Sequence, residues 1–401
     1  MSKRLYLLVI FFMLAFFKGQ SIRKEDKYTG EIFSYSPVTL WEDGTTMIDS
    51  KLDGVIYVKE SNKYYRRNYP QVLNASWFGI KSNDGKDDSD ALQTAISYAV
   101  KTKQGLVIPF GRYNVSKTIL IPQMFTYSMK NLNINFSNST VIMDKDVTLF
   151  QSDNWGTKLD SNYTNGLCIE NLEIISNIGN LDSYAFKLQD YHQATKLQNI
   201  STLYNKNFLH SKNSYYLELY NVNTSLSTSK GKEGKRFLFE GYHGANKFSK
   251  LTAINSEVGY SFEGGMTAAI EMSNISFEGC RVCLYSSSEV YNLVVKSSYF
   301  ENFDLAMKFD NYIHSASIEN NYINFLNKST SSLIQYKGLP LNNIYFNSGN
   351  TYIGTDFSNF IRNKENVYGA GVKFEINNPG LQNFNNLKDN LGANNKIILS
   401  N

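Results

Sequence analysis

The hydrophobic pattern changes period between Leu92 and Ile121. Leu92, Ala95, Ile96 and Ala99 recur at helical spacing; Val107 with Ile108, Val115, and Ile119 to Ile121 follow as short apolar groups broken by Pro109 and Gly111. The first pattern predicts an amphipathic helix, from Asp88 to about Lys103, that ends before Gly105; the second predicts a run of short strands. Just ahead of the helix, Asn83, Asp84 and Gly85 signal a tight turn. Asp87, Asp88, Ser89 and Asp90 then place oxygen acceptors and negative charge where a helix N-terminus wants them. These acids are expected to be structural. Farther upstream, Val55–Val58 and Lys63–Arg66 around a polar turn at Glu60–Asn62 predict a hairpin. That segment reads either as a small attachment head or as an extra strand pair packed on the body that follows.

Downstream of the helix the pattern repeats. Similar segments occur at IENLEIISN, LQNISTLYN, LYNVNTSLS, LTAINSEVG, MSNISFEGC, VKSSYFENF and IENNYINFL. Asn199 to Asn221 is 22 positions, Asn274 to Ser298 is 24 and Ser298 to Asn321 is 23, the length of one coil of a β-solenoid. Asn at such corners suits a left-handed bend and can stack in ladders. A Lys-, Gly- and Ser-rich insertion from Thr228 to Lys235 lengthens one turn into a loop.

The stretch WFGIKSNDGKDDSDALQTAI, a short gap and GLVIPFGRYNVSKTIL, from Trp77 to Leu120, resembles the N-terminal signature of the pectate-lyase superfamily of parallel β-helices, which includes polygalacturonases, rhamnogalacturonases and phage tailspikes. The order aromatic-Gly, Asp-Gly, Asp-Asp, Ala-rich helix with Gln, Pro-x-Gly-x-Tyr carries the resemblance. One departure is that only Lys86 separates Gly85 from Asp87. The resemblance implies that the helix caps the open end of the solenoid. With the coil-length repeats, it predicts an all-β solenoid, a single-stranded right-handed parallel β-helix with an N-terminal capping α-helix. The expected division is a signal peptide at 1–20, the hairpin or attachment segment at 21–74 and the β-helix at 75–401. A sandwich or propeller is the alternative all-β arrangement.

Charge and composition narrow the partners. The formal net charge is +4, and Lys3, Arg4 and Lys18 of the leader account for three of those charges. The remainder is close to neutral, which gives no basic surface for nucleic acid. The leader has a basic start and an apolar run from Leu5 to Phe17, about 13 residues, which suits export and falls short of a membrane span. Cleavage is expected near Gly19 or Gln20, leaving a secreted or periplasmic protein with no membrane attachment. Three cysteines, Cys168, Cys280 and Cys283, are too few for a disulfide framework, and one CRVC pair does not make a zinc site. A local Cys280–Cys283 bridge and three small buried thiols are both open.

Candidate chemistry belongs on the outward columns of the coils. Aligning FKLQDYH, NFLHSKN, FLFEGYH, YSFEGGM, VCLYSSS, MKFDNYI and LIQYKGL points Leu188, Leu209, Phe239, Phe262, Leu284, Phe309 and Tyr336 inward. Alternation then places Gln189, His210, Glu240, Glu263, Tyr285, Asp310 and Lys337 in one outward column. At about 4.8 Å per coil, Glu240 and Glu263 are near contact and Asp310 stands about 9.6 Å beyond Glu263. Such proximity is expected to raise one carboxyl pKa, as a general acid requires. DYHQATKL and GYHGANKF share Tyr-His-x-Ala-x-Lys-apolar 51 positions apart, which sets Tyr191, His192, Tyr242 and His243 beside the column. Glu240, Glu263 and Asp310 are therefore the candidate catalytic residues; His210, Tyr242, His243 and Tyr285 are the candidate substrate-binding residues. A repeated corner motif with a solvated polar face explains the same residues without chemistry.

The polygalacturonase motifs that the resemblance brings (Asn-Thr-Asp, Asp-Asp within a coil, Gly-His-Gly, Arg-Ile-Lys) are not intact here; Tyr242-His243-Gly244 is a faint echo. No metal cluster or other cofactor motif is evident, and calcium enters only if the protein is a lyase. Two classes stand: a secreted glycoside hydrolase or polysaccharide lyase, and a non-catalytic glycan-binding or tailspike-like attachment rod. A polysaccharide is the expected partner in both, and monomer and trimer are both open.

Overall fold

A computed structural model describes residues 20–123, 132–157, 166–179, 181–225, 233–326, 330–336 and 344–354, with isolated strands at 361–362, 372–376 and 396–399. The leader up to residue 19, most of the Thr228–Lys235 insertion and Lys337 lie outside the described residues.

Strands β1 (Ile22–Glu25), β2 (Ile32–Val38), β3 (Tyr57–Glu60) and β4 (Lys63–Arg67) form an antiparallel sheet in the order β1-β2-β4-β3. The expected hairpin is β3–β4. Both turn residues, Ser61 and Asn62, have positive φ (45° and 65°), the mirror-image turn that matches strand twist. Arg67, at the end of β4, is fully buried and donates to Asp26 Oδ2 at 2.6 Å. Its guanidinium lies 3.7 Å from the ring centroid of Phe33 and 4.5 Å from that of Trp77. Trp77 lies on the chain entering the rod, so this one cation ties the head sheet to the solenoid. Strand β5 (Val72–Asn74) already pairs in parallel with β6 (Gly105–Val107) of the solenoid.

Helix α1 (Ser89–Thr102) buries Leu92, Ala95, Ile96 and Ala99 in the same core cluster as Leu106, Ile108 and Ile119 of the first coil. The acids at its start are structural, as expected, but their bonds run sideways into the coil more than along the helix. Asp88, at the cap position, makes no side-chain cap bond and accepts from the Lys81 N–H at 3.0 Å. Asp87 accepts from the Ser89 N–H at 3.0 Å and the Ser116 hydroxyl at 2.6 Å. Burial works to raise Asp87, yet the hydrogen bonds from Ser116 and Ser89 outweigh it and hold the carboxyl at about 2; burial lifts Asp88 to about 6.

Beyond α1, β7 (Arg112–Val115) and β8 (Ile119–Ile121) begin a continuous stack in which the paired strands are parallel and each coil lies in register on the one before. One corner repeats a single device. Asn171, Asn199 and Asn221 all have left-handed φ, and each passes its side-chain amide N–H to the previous carbonyl: Asn221 to Asn199 at 2.9 Å, Asn199 to Asn171 at 2.9 Å, Asn171 to Asn135 at 3.2 Å. Lys250, Asn274, Ser297 and Asn320 continue the left-handed column. The coil step is therefore read at Ser297, one position before the Ser298 of the sequence alignment. Inside, aromatic rings stack from coil to coil: Phe150, Phe186, Phe208, Phe237 and Tyr260 follow one another at 4.4–5.4 Å. The three cysteines are free and buried, so no Cys280–Cys283 bridge forms.

Candidate functional site

The strands Leu181–Gln189, Asn205–Tyr215, Lys235–Gly244, Val258–Glu263, Val282–Ser286 and Leu305–Phe309 stack into one sheet. Alternation turns every second side chain outward, but the register divides the expected column into two. Lys187 pairs with His210, His210 with Leu238, Leu238 with Ser261, Ser261 with Tyr285 and Tyr285 with Lys308. Gln189 pairs with Lys212, Lys212 with Glu240 and Glu240 with Glu263. Asp310, one position beyond the Ser286–Phe309 pair, continues this second column two coils past Glu263. His210 and Tyr285 thus stand two residues away from the column proposed for them. A two-residue slip keeps the side chain on the same face while changing its neighbours, so inward–outward patterning does not detect it.

The two columns meet through their side chains. His210 Nε2 is 2.8 Å from Glu240 Oε2, and Lys212 Nζ is 3.3 Å from Glu240 Oε1. Lys235 reaches Glu263 at 2.5 Å, and the Ser261 hydroxyl donates to the same carboxylate. Asp310 Oδ2 accepts from Lys308 at 3.0 Å and from the Tyr285 hydroxyl at 3.1 Å. Every candidate carboxylate therefore holds a lysine. Burial works to raise Glu240, but the hydrogen bond from His210 and the charge of Lys212 prevail and hold it below the usual carboxylate range. The expected upward push from Glu263 does not prevail at Glu240, whose carboxylate is held by His210 and Lys212.

Two aromatic rings that the sequence did not disclose flank this surface, the candidate groove. The Trp155 ring centroid is 4.7 Å from that of His210, and the Tyr184 ring centroid is 5.2 Å from it. Lys212 and Lys187 lie 4.9 Å and 5.8 Å from the Trp155 ring. Gln189, outward as expected, is buried because it pins the Trp155 loop: its Oε1 accepts from the Gly156 N–H and its Nε2 donates to the Thr157 carbonyl, both at 2.8 Å. Trp155 sits in a loop outside the repeats, so coil alignment has no place for it; its rarity, as one of three tryptophans, was the available signal. Burial within this aromatic setting lowers the pKa of His210, and the charges of Lys212 and Lys187 act in the same direction.

The Tyr-His repeat does not present the same face twice. Tyr191 is 1% exposed and its neighbour His192 is partly exposed; Tyr242 is 54% exposed and His243 1%. An irregularity between Lys212 and Ser214 in the pairing of these strands inverts the alternation. His243 points inward, with Nδ1 2.9 Å from the Ser214 hydroxyl and Nε2 3.0 Å from the Glu240 carbonyl, and burial pushes it down to about 4. It does not reach the groove, whereas Tyr242 is exposed at the corner. Among the described residues no group of three or more His, Cys, Asp and Glu side chains converges as a metal site.

Comparison with known proteins agrees with this architecture. No curated protein matches the sequence. The tailspike protein of Acinetobacter phage vB_ApiP_P1 matches with TM-score 0.56 at 13% identity, over 96% of this chain and 67% of that one. The tailspike of Acinetobacter baumannii phage AM24 matches with TM-score 0.50 at 12% identity, over 84% of this chain and 63% of that one. The Azotobacter vinelandii mannuronan C-5 epimerase AlgE4 A-module matches with TM-score 0.50 at 12% identity, over 76% and 95%. This chain thus spans about two thirds of the length of either tailspike. Residues 72–308, more than half of the chain and the whole stretch from β5 to Lys308, match the family described as Rhamnogalacturonase A/epimerase, pectate lyase-like, and the chain belongs to that family.

Proposed function

We propose that this chain is an exported protein that acts on an acidic polysaccharide, holding it in the Trp155–His210 groove and breaking it by elimination. One observation carries the reading: His210 contacts two aromatic rings, stands beside Lys187 and Lys212, and lies 2.8 Å from an ionised Glu240. Burial and the neighbouring cations favour a neutral imidazole. With its Nε2–H given to Glu240, the ring keeps a lone pair on Nδ1, the form a general base needs. A lysine pair next to that base suits a sugar carboxylate, whose charge must be neutralised before the adjacent C–H becomes acidic. The base then takes that proton, the electron pair forms the C=C bond, and the bond to the neighbouring glycosidic oxygen breaks. The leaving oxygen needs a proton, which Tyr184 supplies in this reading; burial raises its pKa and keeps the phenol protonated. Trp155 gives the sugar ring an apolar face. The export half of the proposal rests on the basic and apolar leader.

Hydrolysis is the second reading, and Asp310 favours it. Glu263 stands two coils away from it, about 9.6 Å by coil spacing, near the roughly 6.5–9.5 Å of inverting carboxylate pairs. Binding without cleavage, as an attachment rod, is the third. A polysaccharide panel assayed for unsaturated product and for new reducing ends separates the three. Unsaturated ends from an acidic polymer support elimination; reducing ends without unsaturation support hydrolysis; retained binding with neither leaves an attachment rod.

A further inference from the structure

A second concavity lies where the head sheet meets helix α1. It has a volume of about 520 Å³, within the range of small-molecule sites. One wall is a single face of α1, presenting Thr94, Ser97, Tyr98 and Lys101 at successive turns; the other is the β1–β2 loop with Lys27 and Tyr28. Asp53 lines it between them.

The Tyr28 wall is fixed in place. Asp26 Oδ1 accepts from the Tyr28 and Thr29 N–H groups at 2.9 and 2.8 Å, while Oδ2 holds the buried Arg67. The Tyr28 ring lies so close to Gly79 that a Cβ there would come within 2.9 Å of it, at a φ of +97° that already favours glycine. Tyr28 is nevertheless 50% exposed, an anchored aromatic surface facing solvent. At the rim are two cations whose charge is not neutralised. Lys27 Nζ lies 4.5 Å from the Tyr28 ring centroid and Lys101 Nζ 5.1 Å from that of Trp41, and neither forms an ion pair among the described residues. Asp53 Oδ1 takes three backbone N–H groups, and the carboxyl is partnered by the Tyr98 hydroxyl, so this part of the wall is internally satisfied.

An exposed aromatic surface, hydroxyl groups along a helix face and two cations at the rim together match one ligand chemistry: a sugar ring that carries a carboxylate. We infer that this concavity binds a uronic-acid unit of a saccharide, as a site separate from the His210 groove. Its geometry also relates it to that groove. Gln93, in the lining, donates to the Leu120 carbonyl at 2.8 Å and accepts from the Leu120 N–H at 2.7 Å. Leu120 lies on β8, whose neighbours in the sheet run Gln151, Lys187, His210. The concavity therefore adjoins the sheet three coils before His210, about 14 Å along the rod.

The test titrates trigalacturonate and neutral maltotriose into the full-length protein carrying His210→Asn, by calorimetry. Two acid-saccharide binding events are expected. The Lys27→Gln/Lys101→Gln double variant, altered only at the rim, weakens one of them at least tenfold, Tyr28→Ala does the same, and Trp155→Ala leaves that event intact; maltotriose binds it at least tenfold more weakly. A single event that Trp155→Ala removes and the lysine variant leaves unchanged overturns the inference. So does equal uptake of maltotriose at the lysine-dependent site. Because Trp155 and Lys27 with Lys101 report separately, failure of this site and failure of the groove reading are distinguishable.

Discussion

Two sets of ion pairs in this molecule use the same chemistry at opposite depths. Arg67–Asp26, between head and rod, has side chains 0% and 3% exposed and is enclosed by Phe33 and Trp77. The pairs in the groove, Lys212–Glu240, Lys235–Glu263 and Lys308–Asp310, have side chains from 14% to 46% exposed. A buried pair strands a charge when one partner is lost, whereas a solvent-facing pair can let its members exchange one another for water or for an anionic ligand. Burial therefore makes the first pair a fastener and the others a surface that a charged polymer can engage.

The sharpest way to break the contrast is Asp26→Ala. It leaves the Arg67 charge buried with no acid and is expected to cost about 3–5 kcal/mol in denaturant unfolding. A loss under about 1 kcal/mol would place the head–rod junction among the weak pairs. A second contrast is between the two histidines of the groove strands, His243 inside and His210 outside. His243 is held near 4, against about 6.5 in an unfolded chain, so both states are neutral above pH 6.5. Below that the unfolded chain takes the proton first, and stability falls by about 1.4 kcal/mol per pH unit, roughly 3 kcal/mol by pH 4. His243→Gln should remove that part of the slope, read as unfolding free energy against pH; an unchanged slope would contradict it. Asn199→Val puts a β-branched residue at a left-handed corner and breaks two ladder bonds, with an expected loss of about 2–3 kcal/mol. The smallest stability effect is expected for Glu263→Gln, within about 1 kcal/mol, because its pair with Lys235 is part-exposed.

The difference in depth also explains what could be read from the amino-acid sequence. The asparagine corner was legible because one residue type recurs at coil length and must adopt φ > 0, and the aromatic core because its positions alternate with a period of two. The capping acids were legible because four of them precede a helical pattern. The groove was only half legible. Glu240, Glu263 and Asp310 fall in the expected column, but no two successive coils supply His210 with like partners, so nothing in the repeat fixes the register to better than two residues. Trp155 arrives from a loop, and its contact with His210 depends on Gln189 holding that loop across a coil boundary. The inversion at Tyr242–His243 follows from a local strand irregularity that an identical tetrad of residues cannot signal. The Arg67–Asp26 fastener spans 41 residues with no motif at either end.

The most direct measurement is the rate at which His210→Asn releases unsaturated product from the acidic polymer that the native protein cleaves, with thermal unfolding followed in parallel. A neutral base acting on the substrate predicts a rate below about a hundredth of the native value, the usual scale of general base catalysis, at an unchanged unfolding temperature. The native rate should also climb with pH along a limb centred below the ordinary histidine value, because burial and the adjacent lysines depress His210. A folded His210→Asn protein that keeps near-native rates would contradict the account.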